Sequence, residues 1–410
     1  MRHRPGEHPL GSKPHALLVV ENGPVPHDRR VWNEARALVD LGYDVTVLSP
    51  ANTKMRLTAR REQREGVEIW RFPMPFGGPR KIDFVSEYGW AVLAVYWLAW
   101  RIWRQKRFDV IHVANPPDVF FGLKWLFGRR GVKFIFDVHD LGPEIYQSKY
   151  DEERVDFLAR MLLWLERRTF QAANAVIVTN ESYRQRAVSR GRMGDEAVFT
   201  VRNSPDLELF RSRRARPELK AGFDYMVVFV GTMGHEDGVH LLLDAADHVR
   251  RARQRHDVLF VLVGTGDSWE QLQGQHDTLG LGDGVRFTGF ISDNDMLDCL
   301  ATADIGAAPD LVSSFNDIST MIKTMDYMAM GLPVVSFDLT ESRVSAGEAA
   351  HYAPACSAAS FGDAIIELLD DPERRQKMSR LGRDRIQGPL AWAHSAEQLA
   401  AAYEWAQAAT

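Results

Sequence analysis

The sequence predicts an α/β fold built from two parallel-sheet domains that face a cleft. Three observations predict it. Short apolar runs rich in Val, Ile, Leu and Phe alternate with helix-length stretches along nearly the whole chain, and continuous apolar strands of this kind belong to parallel sheets covered on both faces. The alternation occurs twice, before and after a polar, basic, proline-containing stretch at 202–222 whose composition suits a linker. A chain of 410 residues, 45% hydrophobic and 26% charged, has material for two or three ordinary domains.

In the first half, strands are expected at 15–20, 43–49, 67–72, 109–113, 132–138, 175–179 and 198–201, with helices such as 28–41 and 155–172 between them. In the second half, strands are expected at 226–231, 257–264, 285–290, 303–308, 332–337 and 349–354. Helices fit at 239–253, 268–279, 293–301, 318–330 and 358–369. A last helix, 392–408, follows Pro389. The chain thus divides into a tail at 1–14, domains at 15–205 and 206–388, and a C-terminal helical segment at 389–410.

Composition excludes several classes. Fifty Lys+Arg against 55 Asp+Glu give a net charge of −5, the wrong sign for a general nucleic-acid binder. Two cysteines, Cys299 and Cys356, build neither a disulfide framework nor a four-thiolate zinc site, and a reducing, cytoplasmic compartment is expected. The basic, polar N-terminus does not read as a secretory signal. The longest apolar run, 88–100, is shorter than the ~20 residues of a spanning helix. It is either a buried helix of an α/β layer or a membrane-surface helix, its rings inserted and its basic end beside lipid phosphates.

In parallel sheets, ligands bind beyond the carboxyl ends of the strands, and between two domains the cleft is the default site. After the first strand, Asn22-Gly23-Pro24 can turn tightly and Asp28 can cap a helix, whose free N–H groups attract anions; an ordinary βα loop explains the same residues. Gly231 and Gly234 open the second half with room for close backbone approach. The segment 263–269, VGTGDSW, lacks the third glycine of a dinucleotide fingerprint. On a helix from Ile318, the residues Ile318, Ile322, Met325 and Ala329 form an apolar stripe, with Ser319, Lys323 and Asp326 on a neighbouring polar one. Ser319 and Thr320 stand where an anion would be held, and Asp326 is about 10 Å further along by the 1.5 Å rise, which matches a nucleotide's length. A solvated Lys323–Asp326 pair explains the spacing equally well.

The motifs NGPVPHDRRVWNEA, NPPDVFFG, FDVHDLGPEIY, VTNES, VRNSPD, VGTMGHEDG and NDIST–K–MDYMAMGLPVV occur in that order between about residues 15 and 390. In this the chain resembles the family 4 retaining glycosyltransferases, and within them the bacterial branch that makes polysaccharides and glycolipids. The resemblance implies the glycosyltransferase-B fold, two Rossmann-like domains with the acceptor side first and the nucleotide-sugar side second, and a final helix packed back on the first. It implies transfer of a sugar from a nucleotide-diphosphate donor, a UDP- or GDP-sugar, to a hydroxyl of a sugar, glycolipid or polysaccharide, without a cofactor or metal. Asp326 takes the place of a ribose-binding Glu. Ser319, Thr320 and Lys323 lie where the diphosphate is held, Asn22 and Gly23 face the donor, His139 and Asp140 lie against the transferred sugar, and Gly289, Phe290 and Ile291 near the base.

The chain departs from the family at two places. Ile318 and Asp326 stand where two Glu residues are usual, which moves one sugar contact to Asn316 or Asp317. His235, Glu236, Asp237 and Gly238 replace the usual Arg and Lys, so Lys323 carries more of the diphosphate. Arg343 either reaches the acceptor or phosphate or pairs with Glu341. Rival expectations are a nucleotide-sugar 2-epimerase of the same fold, a solute-binding protein, or a non-catalytic two-lobed protein. The expected location is the cytoplasm, with peripheral contact at the inner membrane face through 88–104.

Overall fold

A computed structural model of the chain describes residues 13–53, 55, 57–74, 81–150, 156–210 and 213–409, with 81–88 and 149–150 described by backbone alone. The expected tail at 1–14 falls almost wholly outside the described residues. The chain forms two compact units. One comprises Met1–Gln147, Glu152–Arg202 and Ala393–Thr410, the other Ser148–Asp151 and Asn203–Trp392.

The first unit is built on an eight-stranded sheet. Its strands are β1 (His15–Val19), β2 (Asp44–Pro50), β3 (Arg61–Arg64), β4 (Val67–Phe72), β5 (Val110–Ala114), β6 (Lys133–Val138), β7 (Ala175–Val178) and β8 (Val198–Thr200). They lie in the order β3-β4-β2-β1-β5-β6-β7-β8, all parallel except the antiparallel edge pair β3–β4. The helices are α1 (Arg29–Asp40), α2 (Lys81–Gln105), α3 (Gly122–Phe127), α4 (Gly142–Tyr150), α5 (Phe157–Ala172) and α6 (Glu181–Ser189). Local chemistry starts several of them. The carboxylate of Asp28 accepts from Val31 N at 3.1 Å, Asp156 from Ala159 N at 2.7 Å and the Asn180 amide oxygen from Tyr183 N at 2.8 Å, each relieving an orphan N–H of a first turn. Neighbouring residues of β6 face opposite ways, as the pleat requires. Phe136 packs its ring 5.1 Å from Phe170 of α5, while Asp137 meets Arg30 of α1.

The second unit has six parallel strands, β9 (Tyr225–Val230), β10 (Val258–Val263), β11 (Val285–Gly289), β12 (Ile305–Ala308), β13 (Val334–Phe337) and β14 (Ala350–Ala353), in the order β11-β10-β9-β12-β13-β14. Between and after them run α7 (Val239–Asp247), α8 (Trp269–Leu279), α9 (Asp293–Thr302), α10 (Ile322–Met330), α11 (Thr340–Ala346), α12 (Ala358–Leu369) and α13 (Pro372–Gln387). Alternate strand residues feed two cores. Val227, Phe229, Phe260 and Leu262 pack with Leu242, Phe361 and Ile365, whereas Met226, Val228, Leu259 and Val261 pack with Leu297, Leu300, Met325 and Met328. The last helix, α14 (Trp392–Ala408), belongs from Ala393 onward to the first unit, where Tyr403 is buried with its ring 5.2 Å from Tyr43.

Three local expectations are corrected. The aromatic helix is longer than 88–100, since α2 begins at Lys81. The helix expected from Ile318 begins at Ile322, because 316–318 close a separate 3-10 turn ending at Ser319. Its expected apolar stripe is broken, with Ile322 exposed and Thr324–Met328 buried instead. Ser319 and Thr320 therefore precede the helix rather than begin it. The helix expected over 239–253 relaxes into a π turn at His248–Ala252.

Candidate active site

Each sheet reverses its strand order once, at β1/β5 in the first unit and at β9/β12 in the second. Such switch points leave a crevice at the carboxyl ends of the strands, and in both units polar side chains collect there.

In the first unit the centre is Asp137, fully buried on β6. Arg30 of α1 grips it with two bonds, Nη2 to Oδ1 at 2.6 Å and Nε to Oδ2 at 3.2 Å, and Nη1 donates to the Val201 carbonyl at 2.6 Å. His139, just past the strand end, brings Nε2 to 2.5 Å from Asp137 Oδ2. Burial alone would raise the carboxyl's pKa, but Arg30 and His139 outweigh it and hold Asp137 well below the usual range. Burial likewise pulls the imidazole down, and Asp137 more than offsets this, so His139 is held above its ordinary value.

Glu34 is the second buried carboxylate beside Arg30, 3.2 Å from Nη2 and 3.7 Å from His112 Nε2. Neither of its oxygens meets a hydrogen-bond partner. Arg30 is already committed to Asp137, and burial, aided by the Asp137 charge, pushes Glu34 up to about 7. His112 on β5 receives the Tyr403 hydroxyl at 3.0 Å from Nδ1, which ties α14 into the cluster.

Asn115, one residue past β5, fixes the loop that carries His139 and Asp140. Its Oδ1 accepts from His139 N at 2.7 Å and from Asp140 N at 3.3 Å, while Nδ2 donates to the Asp140 carbonyl at 2.7 Å and to Asp118 at 2.9 Å. Asp140 is held above the ordinary carboxyl range by burial. Asn22 is exposed in the loop after β1, and the carboxylate of Asp28 closes on Gly23, where a Cβ would lie 2.6 Å from Oδ2. Glu34, Asp137 and His139 bring ligand-type atoms within 4.8 Å of one another. The guanidinium of Arg30 supplies that group's positive charge, so a divalent ion would meet a cation already in place.

In the second unit the centre is Lys323 of α10. Its ammonium lies 2.6 Å from Asp310 Oδ1, 3.1 Å from Asp237 Oδ1 and 4.9 Å from the Phe229 ring centroid. Burial opposes the charge, but the two carboxylates outweigh burial and hold Lys323 above its ordinary value. The expected Lys323–Asp326 pair is replaced by these partners. Two carboxylates on one ammonium leave no surplus positive charge, so Lys323 is not the free cation that the sequence suggests. Asp310, just past β12, is itself buried, and Oδ2 has no partner.

Glycines let the surrounding loops close. A Cβ on Gly231 would meet Lys323 Cε at 3.4 Å, and one on Gly264 would fall 1.9 Å from the Gly231 carbonyl oxygen. Gly238, at φ +65°, begins α7 where a Cβ would lie 1.9 Å from the Pro309 oxygen. Gly234 N donates to Asp237 Oδ2 at 3.0 Å.

Asn316 is buried and donates Nδ2 to the carbonyls of Glu236 and Leu311, both at 2.9 Å, so its amide group fastens the loop before α7. Asp317 accepts from Thr340 N and Oγ1 at 2.8 and 2.9 Å. Ser319 Oγ donates to the Phe315 carbonyl at 2.8 Å. Asp326 is buried one turn beyond Lys323. Gly289 ends β11 at φ +70°, followed by an exposed Phe290 and a partly buried Ile291. Arg343 pairs with Asp338, at 2.5 and 2.7 Å, rather than with Glu341.

Sequence reasoning missed Arg30, Glu34, Asn115, Asp137 and Asp310. For Asp137 the available signal was a charged residue inside a strand expected to be buried on both faces, which requires a partner; Arg30 and Glu34, on α1, and Asn115 and Asp310, in loops, carry no such mark.

Two parallel α/β units, each with a polar cluster at the carboxyl end of its switch point, define the glycosyltransferase-B fold. The family model "Glycosyl transferase 4-like domain" matches residues 27–204, and "Glycosyl transferases group 1" matches 224–371. The chain belongs to this glycosyltransferase family.

It is 25% identical over 251 residues to an alpha-D-kanosaminyltransferase of Streptomyces kanamyceticus, covering 58% of this chain and 62% of that one. It is 31% identical over 218 residues to the phosphatidyl-myo-inositol mannosyltransferase of Mycobacterium leprae (strain TN), covering 52% and 54%. The chain thus spans little more than half the length of these two curated relatives. Among solved structures, an Anabaena protein in complex with UDP-glucose superposes with a TM-score of 0.68 at 14% identity, over 94% of this chain and 98% of that one. This last likeness is one of fold.

Proposed function

We propose that the protein is a retaining glycosyltransferase that moves a sugar from a nucleotide-diphosphate donor, a UDP- or GDP-sugar, to a hydroxyl of a glycolipid or polysaccharide. The observation that carries this reading is the cluster at the β9/β12 switch point. There Lys323 sits against Asp237 and Asp310, beside Gly231 and the start of α7, with Asp326 one turn beyond. The Asp237 carboxylate holds a position that a phosphate oxygen would take. It is a quarter exposed against 2% for Asp310, so it is the partner an incoming diphosphate displaces. Asp326 then meets the ribose, and Gly289, Phe290 and Ile291 the base. The solved Anabaena complex with UDP-glucose supports this class of donor.

In the reaction the bond from the sugar's anomeric carbon to the β-phosphate oxygen breaks, and its electron pair stays on the phosphate. The acceptor oxygen bonds to that carbon on the same face and passes its proton to the departing phosphate. Lys323 and the amide ends of α7 and α10 stabilise the growing negative charge. On the first unit, His139 is held by Asp137, and Asp140 by Asn115, as contacts for the transferred sugar.

The reading needs no metal, because the departing phosphate takes the acceptor's proton and Lys323 and the helix amides meet its charge. It places the protein in the cytoplasm, with peripheral lipid contact through 88–104. No helix of the described residues is long and apolar enough to cross a membrane.

Thermal-shift screening with UDP-, GDP-, ADP- and TDP-sugars, followed by NMR of the product's anomeric configuration, tests the proposal. Inverted product would refute retention. An epimer formed from donor alone would replace transfer with epimerisation. Absence of any shift and of any donor consumption would refute the donor site.

A further inference from the structure

The lipid contact proposed for 88–104 involves one helix, but the exposed apolar side chains are not confined to it. On α2, Leu93, Trp97 and Trp100 are exposed, while Ala91, Val95, Leu98 and Ile102 are buried. These two stripes are what a helix with one face on a sheet and the other in contact with something else would show. Trp125 of α3 is 66% exposed, and Phe157 and Trp164 of α5 are 84% and 51% exposed. A soluble surface does not normally gather large apolar groups in this way.

The three helices adjoin one another. Tyr96 of α2 packs against Gly122 of α3, Trp103 lies 5.2 Å from Phe127, and Phe121 lies 6.3 Å from Trp164 of α5. They also cover one side of the sheet. The connections β4→β5, β5→β6 and β6→β7 all advance in the same direction across the strand order, and right-handed crossovers advancing one way put their helices on one face. The Phe136–Phe170 contact places α5 on the side opposite Arg30 and α1.

Among the described side chains of these helices the exposed charges have one sign. Across 89–107, 122–131 and 157–172 the single acidic residue is Glu166, which is buried and bonded to Arg190 at 2.6 Å. Arg101, Arg104, Arg129, Arg160, Arg167 and Arg168 are exposed. Several arginines lie over indole rings, Arg104 4.9 Å from Trp100 and Arg168 5.4 Å from Trp164. A guanidinium stacked on an indole sets positive charge and an amphipathic ring at the same depth, the arrangement that suits the headgroup layer.

We propose that α2, α3 and α5 form a single docking face for an anionic phospholipid bilayer, with indoles entering the headgroup region and arginines meeting lipid phosphates. The proposal rests on the lipid contact of 88–104 and extends it to two further helices.

The test is flotation of the full chain with vesicles of phosphatidylglycerol and phosphatidylcholine in equal parts, and with phosphatidylcholine alone, in the absence of donor and acceptor. The wild type should float with the anionic vesicles and much less with the neutral ones, and salt should weaken the binding. Trp125→Ser/Trp164→Ser should lower anionic-vesicle partitioning at least tenfold with an unchanged unfolding midpoint. Trp97→Ser/Trp100→Ser should do the same. Loss only in the α2 variant would overturn the three-helix face and leave the contact through 88–104 standing. A wild type that does not float would overturn both. Self-association that the same substitutions abolish, without flotation, would assign the face to a second copy of the chain and overturn the proposal.

Discussion

Replacing Glu34 by Gln should stabilise the protein, and by an amount that grows with pH. Glu34 is buried beside an arginine that is already bonded twice to Asp137. One guanidinium cannot fully serve two carboxylates, and the one without hydrogen bonds keeps its proton. Its folded pKa is about 7 against an ordinary 4.5. The sign follows from linkage. The folded state binds this proton more tightly than the unfolded state, so stability falls as pH rises from 4.5 towards 7 and is flat beyond. Each tenfold change in proton affinity is worth about 1.4 kcal/mol. The ionised side chain therefore costs the fold about 1.4 kcal/mol at pH 5.5 and about 3 kcal/mol at pH 8. Gln has the shape of the protonated acid and cannot ionise. Urea unfolding followed by tryptophan fluorescence should show the variant more stable than wild type at pH 8 by about 3 kcal/mol, and by about half that at pH 5.5. A difference that does not change with pH, or a variant less stable at pH 8, would refute the assignment of the proton to Glu34.

Lys323→Met should lower stability by about 3–5 kcal/mol at pH 8, because Asp310 is left buried without its cation. Asp310 already lies above the ordinary carboxyl range through burial, so its loss of a partner should be relieved as pH falls. Lys323→Met/Asp310→Asn should recover much of the loss in urea unfolding, and equal stabilities for the single and double variants would count against the pair. Lys323→Ala should also cut turnover about ten- to a hundredfold, the worth of a hydrogen bond to a charged group; near-normal kinetics would remove Lys323 from the reaction. If protonated His139 contacts the sugar, kcat falls as pH rises through its raised pKa, and Asp137→Asn moves that limb to lower pH by removing the carboxylate that holds the imidazolium; an unmoved limb would deny the role to the pair. Gly238→Ala should destabilise by about 2 kcal/mol or more, since a Cβ at positive φ would strike the Pro309 carbonyl; an unchanged melting temperature would show that the loop yields freely.

The strands were readable because burial on both faces requires nearly unbroken apolar runs, and the observed ends of β1, β4, β10 and β14 lie within a residue or two of the expected ones. β3 was invisible for the converse reason. Its sequence, Arg-Glu-Gln-Arg, holds no apolar residue, and it exists because the Glu65-Gly66 turn folds it back on β4, with both residues at positive φ. The start of α10 misled because Asn316, Asp317 and Ser319 are all N-cap residue types. In the fold these groups serve other partners, namely the carbonyls of Glu236, Leu311 and Phe315 and the backbone of Thr340. His139 stood out because it is a polar residue directly after a strand, and Lys323 because it lies on the polar stripe of an expected helix. The partners that complete the clusters come from distant segments: Arg30 meets Asp137 across 107 residues and Lys323 meets Asp237 across 86, separations that leave no trace in local spacing.

The two clusters follow the same electrostatic rule, and it bears on how an anion binds. In each, the central cation is already neutralised by carboxylates of its own unit, Arg30 by Asp137 and Lys323 by Asp237 and Asp310. A diphosphate approaching Lys323 therefore gains little from bare charge. Its gain comes from exchanging one anion for another, which is favourable only where the displaced carboxylate can return to water. Asp237 can, since it sits on a loop and is partly exposed, whereas Asp310 cannot. Asp237→Asn should then tighten donor binding by removing the competing anion, while Asp310→Asn should weaken it by loosening the lysine's anchor. Opposite signs from two carboxylates on one ammonium, read by calorimetry with UDP, would distinguish displacement from simple attraction. Equal changes of the same sign would mean that Lys323 answers only to net charge.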